Sequence, residues 1–84
     1  MQRILVVEDD LDIQELLKNF LQEVGYEIVL ANDGVEAISA FSATHFDLVL
    51  LDVMLPKIDG FAVCELIRKQ SQIPIIMLTA LSGE

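Results

Sequence analysis

Short apolar runs alternate along this chain with stretches whose apolar residues return at helical spacing. Ile4-Leu5-Val6-Val7 predicts a buried strand that stops at Glu8-Asp9-Asp10. Ile13, Leu16, Leu17, Phe20, Leu21 and Val24 then follow a 3.6-residue period, which predicts a helix beginning at Asp10 or Leu11 and stopping at Gly25. Tyr26–Ala31 reads as a second strand. Asp33 and Glu36 have capping-box spacing, so a second helix is expected from about Gly34 to Ala43. Phe46–Leu51 is the most apolar predicted strand and ends at Asp52. After a turn containing Pro56, Asp59 is placed to cap a third helix, with Ile58 and Val63 spaced as a hydrophobic staple. Ile75–Leu78 predicts a fourth strand ending at Thr79-Ala80.

The order βαβαβαβ argues for an α/β fold, a doubly wound parallel sheet with helices on both faces. Crossovers between parallel strands are nearly always right-handed. In strand order 2-1-3-4 the chain reverses direction between the first and third strands, and ligands of such sheets sit at that switch, beyond the carboxyl ends. The residues expected there are Glu8-Asp9 and Asp52.

Composition narrows the picture. A chain of 84 residues has room for one domain. The apolar fraction of 54% and the mean hydropathy of +0.54 suit a sheet buried on both faces. No apolar run approaches the ~18 residues needed to span a bilayer, and the apolar stretch before Glu8 is too short for a signal peptide. A cytoplasmic location is expected, and the lone Cys64, read as a small core residue, fits a reducing compartment. Five basic against fourteen acidic residues give a net charge of −9, the wrong sign for this segment to hold a phosphate backbone.

Each acid has a bland reading when taken singly. Acids between a strand and a helix are commonly caps, and an Asp after an apolar strand is often a turn former. Neither reading explains why both sets fall at the same end of adjacent strands. Carboxylates gathered there repel one another, so stability alone disfavours the arrangement. A hard cation relieves the repulsion, and Mg²⁺ takes few carboxylates together with water and phosphate oxygens. A nucleotide-binding domain would instead present Gly, Ser or Thr amides after its first strand. If one cation is shared, the carboxyl groups of Asp9 and Asp52 must lie within about 8 Å of each other.

Val7-Glu8-Asp9-Asp10, the run Leu50-Leu51-Asp52-Val53-Met54-Leu55-Pro56, Asp59-Gly60 and Leu78-Thr79-Ala80 together resemble the receiver domain of bacterial two-component response regulators. The resemblance runs through the whole chain. The form Met54-Leu55-Pro56 followed by Asp59-Gly60 is similar to receivers that precede a winged-helix DNA-binding domain.

The resemblance implies a flavodoxin-like fold in which Asp52 accepts a phosphoryl group from a phosphohistidine on a sensor histidine kinase. It implies Mg²⁺ on Asp9, Asp52, Glu8 through water, and the main-chain carbonyl of Met54. Thr79 would be the switch hydroxyl, with Pro56 and Gly60 shaping the loop after the acceptor. The chain would control an attached output, transcription by the subfamily likeness, and would not itself be an enzyme beyond self-phosphorylation and self-dephosphorylation. Asp10 is read as an N-cap or outer acid, and His45 as a partner for the end of the second helix. Lys57 is read as a surface lysine before a phosphate ligand, and Arg68 and Lys69 as a cationic last turn.

Receivers also carry a fifth strand with a phosphate-contacting Lys, an aromatic switch residue, and two further helices, none of which the 84 residues include. Residues 1–84 are accordingly expected to be a truncated, incomplete receiver without an output domain. Four strands span about 19 Å and one helix covers about 10 Å, so roughly half of the first helix's face should be bare. Self-association through that face and the open edge of the fourth strand is expected, and a clean monomer in gel filtration would count against it. Two other functions compete. A phosphatase of the haloacid dehalogenase type carries its Asp nucleophile after the first strand within Asp-x-Asp, whereas Asp52 ends the third strand and is followed by Val53 and Met54. A pseudo-receiver scaffold that is never phosphorylated would have no need of the complete acid set.

Overall fold

The computed structural model describes residues 2–53, 55 and 58–78. Its elements are β1 (Arg3–Val7), α1 (Leu11–Val24), β2 (Glu27–Ala31), α2 (Gly34–Ala43), β3 (Leu48–Asp52), α3 (Gly60–Arg68) and β4 (Ile75–Leu78). The four strands pair in parallel in the order β2-β1-β3-β4. This is the doubly wound sheet that the alternation of elements predicts, and the flavodoxin-like fold that the resemblance implies.

The two faces follow from strand alternation. Leu5, Val7, Val49 and Leu51 point to one side, where Ala37 of α2 and Val63 and Ile67 of α3 close over them. Ile4, Val6 and Leu50 point to the other, against Leu17 and Leu21 of α1. On the α1 side the sheet is covered further than expected, since Leu50 is buried. Ile76, which pairs with Leu50 in register, is half exposed on the same side. Among the described residues β4 has one strand neighbour, β3.

Caps set the helix ends. The Asp10 carboxylate accepts the N–H groups of Asp12 and Ile13, and Gly25 stops α1 at φ 116°, a left-handed conformation suited to glycine. Asp33 accepts the Glu36 N–H at 2.9 Å, while the Glu36 side chain reaches one residue beyond the expected box, to the N–H of Asn32. Asp59 accepts the Ala62 N–H, and Ile58 packs on the core that contains Val63.

β1 starts one residue early, at Arg3, and the starts of β2 and β3 differ from expectation for local reasons. Tyr26 does not start β2 because its N–H closes the end of α1 on the Leu21 carbonyl. β3 begins at Leu48 rather than Phe46, because the Asp47 carboxylate takes the Arg3 N–H at 2.9 Å in place of a ladder carbonyl. Phe46 instead fills the core and stacks on Phe41 at 6.1 Å between ring centroids. The imidazole of His45 lies 3.3 Å from the Asp47 carboxylate. Arg68 ends α3 and ties down the following loop by donating to the carbonyls of Ser71 and Ile73. Cys64 is a free, half-buried thiol packed against the core, less enclosed than a core residue. No helix among the described residues is long and apolar enough to cross a membrane.

Candidate metal and phosphoryl site

Register brings the acids together. Val7 pairs with Ala31 on one side and with Leu51 on the other. The next residues along the parallel strands β1 and β3 are Glu8 and Asp52. Ligand oxygens of Glu8, Asp9 and Asp52 lie within 4.8 Å of one another, well inside the span one cation requires. Glu8 is buried, Asp52 half-buried and Asp9 exposed, so the cluster opens to solvent on the side of Asp9.

Glu8 is fixed at three points. Its N–H extends the sheet by donating to the Ala31 carbonyl at 3.0 Å. Its carboxylate accepts the Asp10 N–H at 3.0 Å, and its carbonyl accepts from the Nε2 of Gln14. Burial pushes the Glu8 carboxyl above the usual glutamate range. The Asp10 N–H works against that rise, while the charges of Asp52 and Asp9 and a hydrogen bond shared with Asp52 add to it. Two carboxyl groups can share a hydrogen bond only if one holds a proton. Three hard oxygen donors in mutual repulsion fit Mg²⁺.

The backbone after Asp52 is drawn tight by Gly60. Its N–H donates to the Val53 carbonyl at 3.1 Å. A Cβ on Gly60 would lie 2.5 Å from the Asp52 carbonyl oxygen and from the Val53 Cα. That close approach leaves no room for a side chain at this position. Asp10 caps α1, and His45 lies beside Asp47, which Arg3 contacts at the amino end of the sheet. Met54, Pro56, Lys57 and Thr79 lie outside the described residues.

Gln14 and Asn32 were not among the expected site residues, and Glu36 was expected only in a capping box; hydrogen bonds join the three to the Glu8 carbonyl. The signal was present: Gln14 falls on the same stripe of α1 as Leu17 and Leu21, three and seven residues on. A polar residue on a buried stripe needs partners, and those partners lie at the site. Gly34 opens α2. A Cβ there would meet Ile58 and Val63 at 2.8 Å, so the glycine lets α2 and α3 approach.

A family model described as the response regulator receiver domain matches residues 4–84. A probable transcriptional regulator, ycf27 of Cyanophora paradoxa, is 54% identical over 95% of this chain and 34% of its own length. The chain thus spans about a third of the curated relatives it matches. Among solved structures, the response regulator TrrA of Thermotoga maritima, in complex with Mg²⁺-BeF, superposes with a TM-score of 0.91 at 51% identity, covering 98% of this chain and 72% of that one. TrrA in complex with the histidine kinase ThkA superposes with a TM-score of 0.89 at 51% identity, covering 95% and 70%. With the parallel order 2-1-3-4, the acid cluster at its switch point and a family match through nearly every residue, the chain belongs to the response regulator receiver domains.

Proposed function

We propose that this chain is a phosphoryl-accepting switch of a two-component pathway, with Asp52 as acceptor and a sensor histidine kinase as donor. The observation that carries the reading is the convergence of Glu8, Asp9 and Asp52 oxygens within 4.8 Å. The kinase partner rests on the likeness to TrrA, which is solved with its kinase. Transcriptional output through a DNA-binding domain in the parent protein rests on relatives described as transcriptional regulators. This segment, with a net charge of −9, would leave nucleic-acid contact to that domain. The whole would act in the cytoplasm, as an acceptor and not as an enzyme. A second copy adding to the β4 edge beside Ile76 is the further partner in this proposal.

In the transfer, an Asp52 carboxylate oxygen attacks phosphorus in line. The new O–P bond forms as the P–N bond to the donor imidazole breaks, and the imidazole leaves carrying a proton. Strand β3 aims Asp52 at the opening beside the exposed Asp9. Asp9 and Asp52 would hold Mg²⁺ directly, Glu8 through water, and the Met54 carbonyl would complete the set. When bound, Mg²⁺ neutralises charge on the transferring group. A beryllium fluoride group has the shape and charge of a phosphoryl group, so the TrrA complex supports both ligands at such a site. Gly60 and Pro56 would hold the loop clear of the incoming group, and the Thr79 hydroxyl would turn toward the phosphoryl group and report it. The test is incubation with acetyl phosphate and Mg²⁺ followed by intact mass. One phosphoryl adduct is expected, lost in Asp52→Asn. An adduct that persists in Asp52→Asn would refute the assignment.

A further inference from the structure

Gln14 is 6% exposed, and its side chain runs from α1 to the ends of β1 and β2. Its Nε2 donates to the Glu8 carbonyl and, at 2.6 Å, to the Asn32 Oδ1. Asn32, between β2 and α2, in turn donates from its backbone N–H at 2.9 Å and from Nδ2 at 3.1 Å to Glu36 Oε1. The polarity of this chain has one solution. A carboxylate only accepts, so the amide nitrogen of Asn32 must face Glu36 and its oxygen must face Gln14. Gln14 must then turn its nitrogen toward two acceptors, Asn32 Oδ1 and the Glu8 carbonyl. The donors run in one direction and end on a charge, which strengthens each of them.

We propose that Gln14 is a positioning residue for the metal loop, clamping the Glu8 carbonyl so that the Glu8 and Asp9 carboxylates are held toward Asp52. This rests on the reading of the three acids as a divalent-cation site. The Glu8 N–H is already fixed on Ala31. The carbonyl belongs to the next peptide plane, the one that aims Asp9. Without Gln14 that plane can turn while the bond to Ala31 stays intact, and Asp9, the most exposed of the three acids, swings with it. Asn32 and Glu36 anchor the clamp to α2, so Gln14 links the β2–α2 connection to the Glu8 carbonyl.

The test is calorimetric titration of the full chain with Mg²⁺ alone. Gln14→Met keeps the volume and removes both donors, and should weaken Mg²⁺ binding about tenfold with unchanged stoichiometry. Asn32→Ala should weaken it by a smaller factor in the wild-type background and not at all in the Gln14→Met background. A role in packing alone would lower the metal-free Tm and leave the Mg²⁺ dissociation constant and its coupling to Asn32 unmoved. Unchanged affinity in folded Gln14→Met, or additive losses in the double variant, overturns the proposal. Should Gln14→Met fail to fold, the exposed Asn32→Ala variant decides: it must bind Mg²⁺ more weakly than wild type, and equal binding overturns the clamp. A wild-type chain that binds no Mg²⁺, or binds it no better than Asp9→Asn, overturns the cation site itself and the clamp with it.

Discussion

The two ends of this parallel sheet handle acidic side chains in opposite ways. At the amino end, Asp47 accepts the Arg3 N–H and sits beside His45, and the Arg3 guanidinium meets Glu27. The Asp47 carboxyl is accordingly held below the usual aspartate range, chiefly by the Arg3 N–H, with His45 adding to it. At the carboxyl end, burial pushes the Glu8 carboxyl up, and the charges of Asp52 and Asp9 add to the rise. Fold stability explains the first end. The second costs stability, and a ligand of opposite charge is what gives it a purpose.

The largest effect is expected where the carboxyl end allows no adjustment. Gly60→Ala drives a Cβ to 2.5 Å from the backbone of Asp52 and Val53, and backbone cannot move aside as a side-chain tip can. Stability should fall by about 1–3 kcal/mol, the usual range for overpacking, read as a lower denaturant midpoint at constant m. A stability within a few tenths of a kcal/mol of wild type would show that the loop after the acceptor is not held at this point.

Glu8→Gln should act in the opposite direction, and by less. The substitution removes one charge from the repelling set and keeps an acceptor for the Asp10 N–H. The metal-free protein should therefore melt at a higher temperature while binding Mg²⁺ about tenfold more weakly. The pH dependence sharpens the point. A carboxyl whose folded-state pKa stands above its unfolded value takes up a proton on folding. Its contribution to stability is full below about 4.5, declines as pH rises through the raised value, and is flat above it. The difference between wild-type and Glu8→Gln melting curves across that window should show this decline. A difference that does not change with pH would mean that the acids at this end do not strain the fold.

This contrast between the ends also governs what could be read from the sequence. The elements, their order and the convergence of Glu8, Asp9 and Asp52 were legible because each rests on a one-dimensional pattern: apolar period, cap spacing, and acids placed just after strands. The capping roles of Asp10, Asp33 and Asp59 followed from the same patterns. The start of β3 was not legible, because Phe46 reads as strand until the partner of the Arg3 N–H is known. The hydrogen bonds behind Glu8 were hidden for a related reason. Gln14 and Asn32 are 18 residues apart, and no local spacing links an amide on a helix to an amide after a strand. The amino-end charges likewise gave no signal, since Arg3 and Asp47 are 44 residues apart.

The smallest effect is expected at the amino end, although it has the most ion pairing. Arg3 Nε lies 3.2 Å from Glu27 Oε2, and the two side chains are 33% and 45% exposed. Pairs this open contribute about 0.2–1 kcal/mol, since water and salt screen them and both side chains lose freedom. The stronger tie runs through backbone: Arg3 donates its N–H to Asp47 at 2.9 Å and accepts the Asp47 N–H at 2.8 Å on its carbonyl. Arg3→Met leaves both of those bonds in place and keeps the aliphatic cover. Its cost should therefore stay below about 1 kcal/mol and shrink at high salt, and a double-mutant cycle with Glu27→Gln should give a coupling within the same bound. A coupling well above 1 kcal/mol would make the paired end a main source of stability. The sheet would then be held by its charges as much as by its core, and the strain at the other end would be a smaller part of the whole than the geometry of Glu8 indicates.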